Sequence, residues 1–209
     1  MIARLRIATC LGLVASLMAP PAASAQVLGV SVTGTPQTLS NPPFSLGYAF
    51  DVTNPFLVQY LGYFDAGSNG LNQSHQIGLY DPSGTLLSTV TVGPGSGDVL
   101  IGGFRMAAVT PFLLAVGAGY HVLGTSSTNV DQLLFRATKT DAYGIQYVSG
   151  AYCAGAALQN SCGVNSDGYF GANFAGVVTP EPASVVLLAT GLVGILGVVR
   201  RRRSSALSA

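Results

Sequence analysis

The chain lacks tryptophan altogether, has a single lysine (Lys139) and a single glutamate (Glu181), and gives only 8% of its 209 positions to charged residues. Histidine is limited to His75 and His121, and no H-E-x-x-H, G-x-S-x-G or phosphate-loop pattern occurs, so the usual signatures of zinc, serine-hydrolase and nucleotide chemistry are missing. The scarcity of Lys and Glu, set against 27 glycines and abundant Ser, Thr and Asn, favours strands and turns over helices. Basic residues are also absent from most of the chain. Six of the nine lie near its ends (Arg4, Arg6, Arg200, Arg201, Arg202 and Arg203), which leaves Arg105, Arg136 and Lys139 against seven aspartates in between, a net charge of −4. A body of that sign excludes nucleic acid as a partner and argues against docking on anionic lipid.

What is present begins with two targeting segments. Residues 1–25 are built as a signal peptide: Arg4 and Arg6 supply the positive start, 7–18 the apolar stretch, and Ala23-Ser24-Ala25 an A-x-A site that places cleavage between Ala25 and Gln26. Cys10 lies in the apolar stretch and leaves with it. Residues 179–209 carry Pro180-Glu181-Pro182, then an uncharged apolar run at 183–199, then Arg200 to Arg203. As a helix that run spans about 26 Å, slightly short of a hydrocarbon core of about 30 Å, so it is expected to be a transmembrane helix. The arginines act as a membrane stop signal and, by the positive-inside rule, face the cytoplasm, leaving everything before Pro180 outside.

Triplet, short apolar helix and arginine block in this order resemble the PEP-CTERM sorting tail of exported proteins from exopolysaccharide-producing Gram-negative bacteria. The resemblance implies that Pro180, Glu181 and Pro182 are the motif recognised and cut by a membrane-embedded exosortase. Placing the chain's one glutamate between two prolines ahead of the apolar run agrees with that reading.

Residues 26–178 are enough for one domain with a sizeable core. Candidate strands fall at 27–33, 46–52, 56–64, 75–80, 86–92, 100–106, 112–114, 119–125, 133–137, 145–148 and 169–178, separated by turn sequences such as Asp81-Pro82-Ser83-Gly84. The spacing predicts an all-β fold, an antiparallel β-sandwich that is jelly-roll-like, with helix intruding at most around 130–135. Within 56–64, alternation puts Val58, Tyr60, Gly62 and Phe64 on one face and Gln59, Leu61 and Tyr63 on the other. The stretch 61–92 also resembles small β-sandwich domains of unknown function that precede such tails. Cys153 and Cys162, with eight residues between them, are expected to form a disulfide in an oxidising periplasm.

Candidate chemistry in this body is thin. Asp65, Asp81 and Asp98 could supply the carboxylates of a glycosidase, but each sits in a turn context that favours aspartate for local hydrogen bonding. The polar loop 65–75 offers oxygen ligands, with Asp65 and Asn69 as candidates for calcium, although it lacks the spacing of a helix-flanked calcium loop. No other cofactor is expected. Nine tyrosines could supply sugar platforms, yet most belong to strands and should be core. The sequence therefore reads as a non-enzymatic, exported envelope or extracellular-matrix protein, associated with exopolysaccharide or biofilm. Its expected partners are signal peptidase and the export machinery, the membrane, an exosortase-like enzyme and exopolysaccharide. The precursor would sit in the inner membrane with a periplasmic body, and the processed form at the cell surface or in the matrix. The alternatives are an exported polysaccharide-acting hydrolase using aspartates and a permanently membrane-anchored surface binding domain.

Overall fold

The computed structural model describes residues 26–38, 43–127, 130–178 and 190–191. The signal peptide with Ala25, the sorting triplet, the arginine block and all of 183–199 except Thr190 and Gly191 lie outside the described residues; those two are helical. Among the described residues no helix is long and apolar enough to cross a membrane.

Among the described residues, turn chemistry and alternation produce sixteen strands. They are β1 (Val27–Leu28), β2 (Val30–Thr33), β3 (Pro36–Gln37), β4 (Phe44–Val52), β5 (Phe56–Phe64), β6 (His75–Tyr80), β7 (Leu86–Val92) and β8 (Val99–Ile101). There follow β9 (Phe104–Leu114), β10 (Gly117–Ser126), β11 (Leu133–Phe135), β12 (Thr138–Asp141), β13 (Ile145–Ala154), β14 (Gly163–Asn165), β15 (Tyr169–Phe170) and β16 (Ala172–Val178). The main sheets run β1-β16-β5-β9-β8 and β14-β13-β4-β10-β6-β7, and two small sheets, β15-β11-β3 and β12-β2, complete the fold. Every ladder is antiparallel. The hairpin expected at 75–92 forms with the predicted bounds, its turn closed by Gly84 at φ 86°. No helix forms in 130–135, where Leu133 to Phe135 instead pair with β3 and β15. The predicted strand 100–106 is broken by Gly102 and Gly103, both at positive φ, and 112–114 is the end of the long β9.

The two main sheets share one apolar core. Phe50 and Tyr48 of β4 meet Phe174 and Phe170 at ring separations of 4.7 and 5.3 Å, and Phe56 of β5 packs edge-on against Phe174. These rings are fully buried, and each buried large side chain stabilises by about 1.5–3 kcal/mol. Asn173, buried at the centre, is satisfied: its Oδ1 accepts from the Tyr48 hydroxyl at 2.7 Å and its Nδ2 donates to the Val30 carbonyl at 2.7 Å. Close approach of β4 and β10 depends on Gly47, where a Cβ would collide with the Val122 carbonyl.

A β-bulge corrects the predicted faces of β5. Gly176 pairs with Val58 and Ala175 with Tyr60, so Gln59 is an extra residue that reverses the alternation. Leu61 and Tyr63 therefore join Val58 in the main core. Tyr60 and Phe64 turn to the opposite face, against Leu28, Phe104 and Met106. Cys153, near the end of β13, and Cys162 are bonded with Cα atoms 5.0 Å apart. Closing so short a loop stabilises by about 2–3 kcal/mol in the chain-entropy account.

Candidate functional site

Within the body, polar chemistry gathers where the segment after β5 meets the loops before β8 and β11. Asp65 directly follows β5, and Arg105 lies in the neighbouring β9, opposite Tyr63. The Arg105 Nε donates to Asp65 Oδ2 at 2.7 Å, Nη1 donates to the Ser96 and Asp98 carbonyls, and Nη2 donates to the Ser68 carbonyl at 3.0 Å. Asp65 Oδ2 also accepts the Gly70 N–H. Both charges are buried, at 7% and 2% exposure, so the guanidinium works as a clamp that ties the 65–70 and 93–98 loops together. Asp65 Oδ1 is buried without a partner.

Beside this clamp, His75 stacks on Tyr63 with ring centroids 3.5 Å apart. Its Nδ1 lies 2.7 Å from the Thr125 carbonyl oxygen and its Nε2 lies 2.9 Å from Asp131 Oδ2. A carbonyl cannot donate, so Nδ1 is the donor in the first contact. Asp131 also accepts from the Asn72 N–H, the Asn72 side-chain amide and the Gln73 N–H. Burial acts to raise the Asp131 carboxyl, but the hydrogen bonds from Asn72 and His75 outweigh it and hold the group below the ordinary carboxylate value. A folded-state value below the unfolded one means that Asp131 contributes stability above the unfolded value and loses it as pH falls through the folded one. Asp131→Asn should therefore flatten the acid limb of a melting-temperature profile below about pH 4, and an unchanged limb would show that the group is not held by these donors.

Asp65 and Asp131 line one polar cleft of about 310 Å³, together with Thr38, Asn69, Asn72 and Gln132. Asp65 and Asn69, the candidates in the 65–75 loop, both line it, whereas Asp131 and the nearby Arg105 do not stand out in the sequence. One signal did point to Arg105: a lone arginine inside the apolar strand sequence Phe104-Arg105-Met106-Ala107 has to find an acceptor. The three aspartates considered for hydrolysis fall on separate connections. Asp81 caps its own turn, accepting from the Ser83 hydroxyl and N–H and the Thr85 N–H, and those bonds hold its carboxyl low. Asp98 offers Arg105 its main-chain carbonyl and accepts the Gly93 N–H with its side chain. Of the candidate sugar platforms, Tyr48, Tyr63, Tyr80 and Tyr120 are buried, whereas Tyr143 is 70% exposed.

The described fold ends on β16, whose last residue, Val178, pairs with Phe56 of β5. An all-β body that closes on an inner strand and is followed at once by a Pro-Glu-Pro triplet, an apolar run and four arginines has the build of an exported protein with a membrane-transiting tail. The PEP-CTERM protein-sorting motif matches residues 178–203, beginning at the residue where β16 ends. The chain thus carries at its C-terminal end the signal of a cell-surface protein processed by an exosortase-type membrane enzyme. No curated protein matches the chain, and no solved structure does.

Proposed function

We propose that this protein is a non-enzymatic, disulfide-stapled component of the cell envelope or extracellular matrix, delivered to the exopolysaccharide layer by cleavage at its PEP-CTERM tail. The observation that carries the reading is the coincidence of boundaries: β16 completes its sheet at residue 178, and the sorting motif starts there, so a cut at 180–182 leaves the folded body whole. Intact mass of the processed protein tests it. The mature C-terminus should fall within 179–182, and recovery of the arginine block in mature material would instead support a permanent anchor.

The hydrolase alternative gains a pair of carboxylates in one cleft, Asp65 and Asp131, but neither suits the work of a general acid. Such an acid needs a carboxyl held above its ordinary value, whereas Asp131 is held below it and Asp65 is tied to a guanidinium. Calcium fits the same residues poorly. Arg105 already supplies the positive charge at Asp65, and His75 faces Asp131. Millimolar calcium should leave the melting midpoint unchanged; a rise of several degrees would restore the metal site.

A further inference from the structure

The two main sheets have four edge strands, and three of them are short: β1 has two residues, β8 three and β14 three. Shortness is one of the devices by which proteins keep edges from pairing with other chains. Where β9 runs on beyond its pairing with β8, it carries another such device, Pro111, in an irregular stretch of its ladder. The fourth edge differs. Strand β7 has seven residues, Leu-Leu-Ser-Thr-Val-Thr-Val, bonded on one side to β6 and on the other, among the described residues, to no strand. A bulge at Leu87 bends its first residues, but from Ser88 to Val92 the register is regular and contains no charge, proline or glycine. Four of its side chains are exposed, Leu86 and Leu87 at more than 40% and Thr89 and Thr91 with them, while Val92 is buried. An open groove of about 530 Å³ follows it, walled on the far side by 108–112 of β9.

We propose that β7 is a self-association edge, on which a second copy of this chain pairs its own β7 antiparallel about a two-fold axis. The exposed row of N–H and C=O groups calls for an extended strand as occupant, since only a strand presents complementary groups at the same spacing. Charge selects the second copy. The body carries a net −4, which opposes self-association over most of its surface, yet residues 83–97 contain no ionisable side chain. Two copies can meet along β7 without bringing carboxylates together on the paired strands. Thr and Val side chains across such a ladder are favourable cross-strand pairs. Isologous pairing also satisfies the β7 edge of both copies at once, so the assembly closes as a dimer.

The test uses the full chain solubilised from membranes in detergent and the processed protein collected after export, both sized by light scattering. Wild type is expected at twice the chain mass in each preparation, and Thr91→Lys, which puts a charge on the outer edge, is expected to raise the dimer dissociation constant at least about tenfold. Single cysteines walked through positions 88 to 91 add a register readout: interchain disulfides should peak at the position nearest the two-fold axis and fall away on either side. A monomeric wild type, or cross-linking that is equal at all four positions, would overturn the proposal. Thr89→Lys serves as a second variant should Thr91→Lys fail to fold.

Discussion

Arg105→Ala is expected to destabilise the body by about 3–5 kcal/mol, the cost of leaving a buried charge without its partner. The side chain is 7% exposed and its guanidinium serves four acceptors: the Asp65 carboxylate and the carbonyls of Ser68, Ser96 and Asp98. Removing it strands a carboxylate that is 2% exposed and already has one oxygen unpartnered, and it frees two loops that no strand ladder otherwise ties together beyond the Leu71–Gly95 bridge. Urea unfolding measures the loss. A companion experiment separates charge from packing: Asp65→Asn with Arg105→Met removes both charges while keeping much of the volume, and should recover part of the stability. A loss below about 1 kcal/mol for Arg105→Ala would mean that the pair behaves as a screened surface contact.

Buried charge of this kind is what a sequence hides best. Strands β5, β6 and β7 are legible because alternation and a strong turn sequence, Asp81-Pro82-Ser83-Gly84, agree over consecutive residues. Their faces are less legible. The extra residue Gln59 reverses the pattern in β5, and nothing in Val58-Gln59-Tyr60 announces a bulge, which is fixed by the register of β16. Strand β13 runs to Ala154 rather than ending at 148, since pairing with β4 carries the chain through Ser149 and Gly150, residues with little strand preference of their own. The cleft draws its lining from residues 38, 65–72 and 130–132, so the Asp131–His75 contact, 56 positions apart, follows from topology alone. The tail is the opposite case. Its information is linear, in the order of triplet, apolar run and arginines, and the motif match at 178–203 rests on that order.

Glu181→Ala is expected to leave nearly all of the chain as unprocessed precursor in the membrane fraction, whereas a chain ending after Thr179 should be exported and recovered in soluble form. The two variants act on opposite sides of one step. The first keeps the apolar run and arginines but spoils the triplet; the second removes the need for cutting altogether. The structure adds a third chain that fixes the inner limit of the cut. Ending after Gly171 deletes β16, which lies between β1 and β5 and contributes Ala172, Asn173, Phe174 and Ala175, all fully buried. Loss of the Phe174 side chain alone would cost about 3–5 kcal/mol, so this chain should fail to fold and be degraded rather than released. Val178 is paired to Phe56, so a cut at any bond after it, those of the Pro180-Glu181-Pro182 triplet included, leaves the sheet whole. Processing of the Glu181→Ala chain at the wild-type rate would mean that the triplet is not what the enzyme reads.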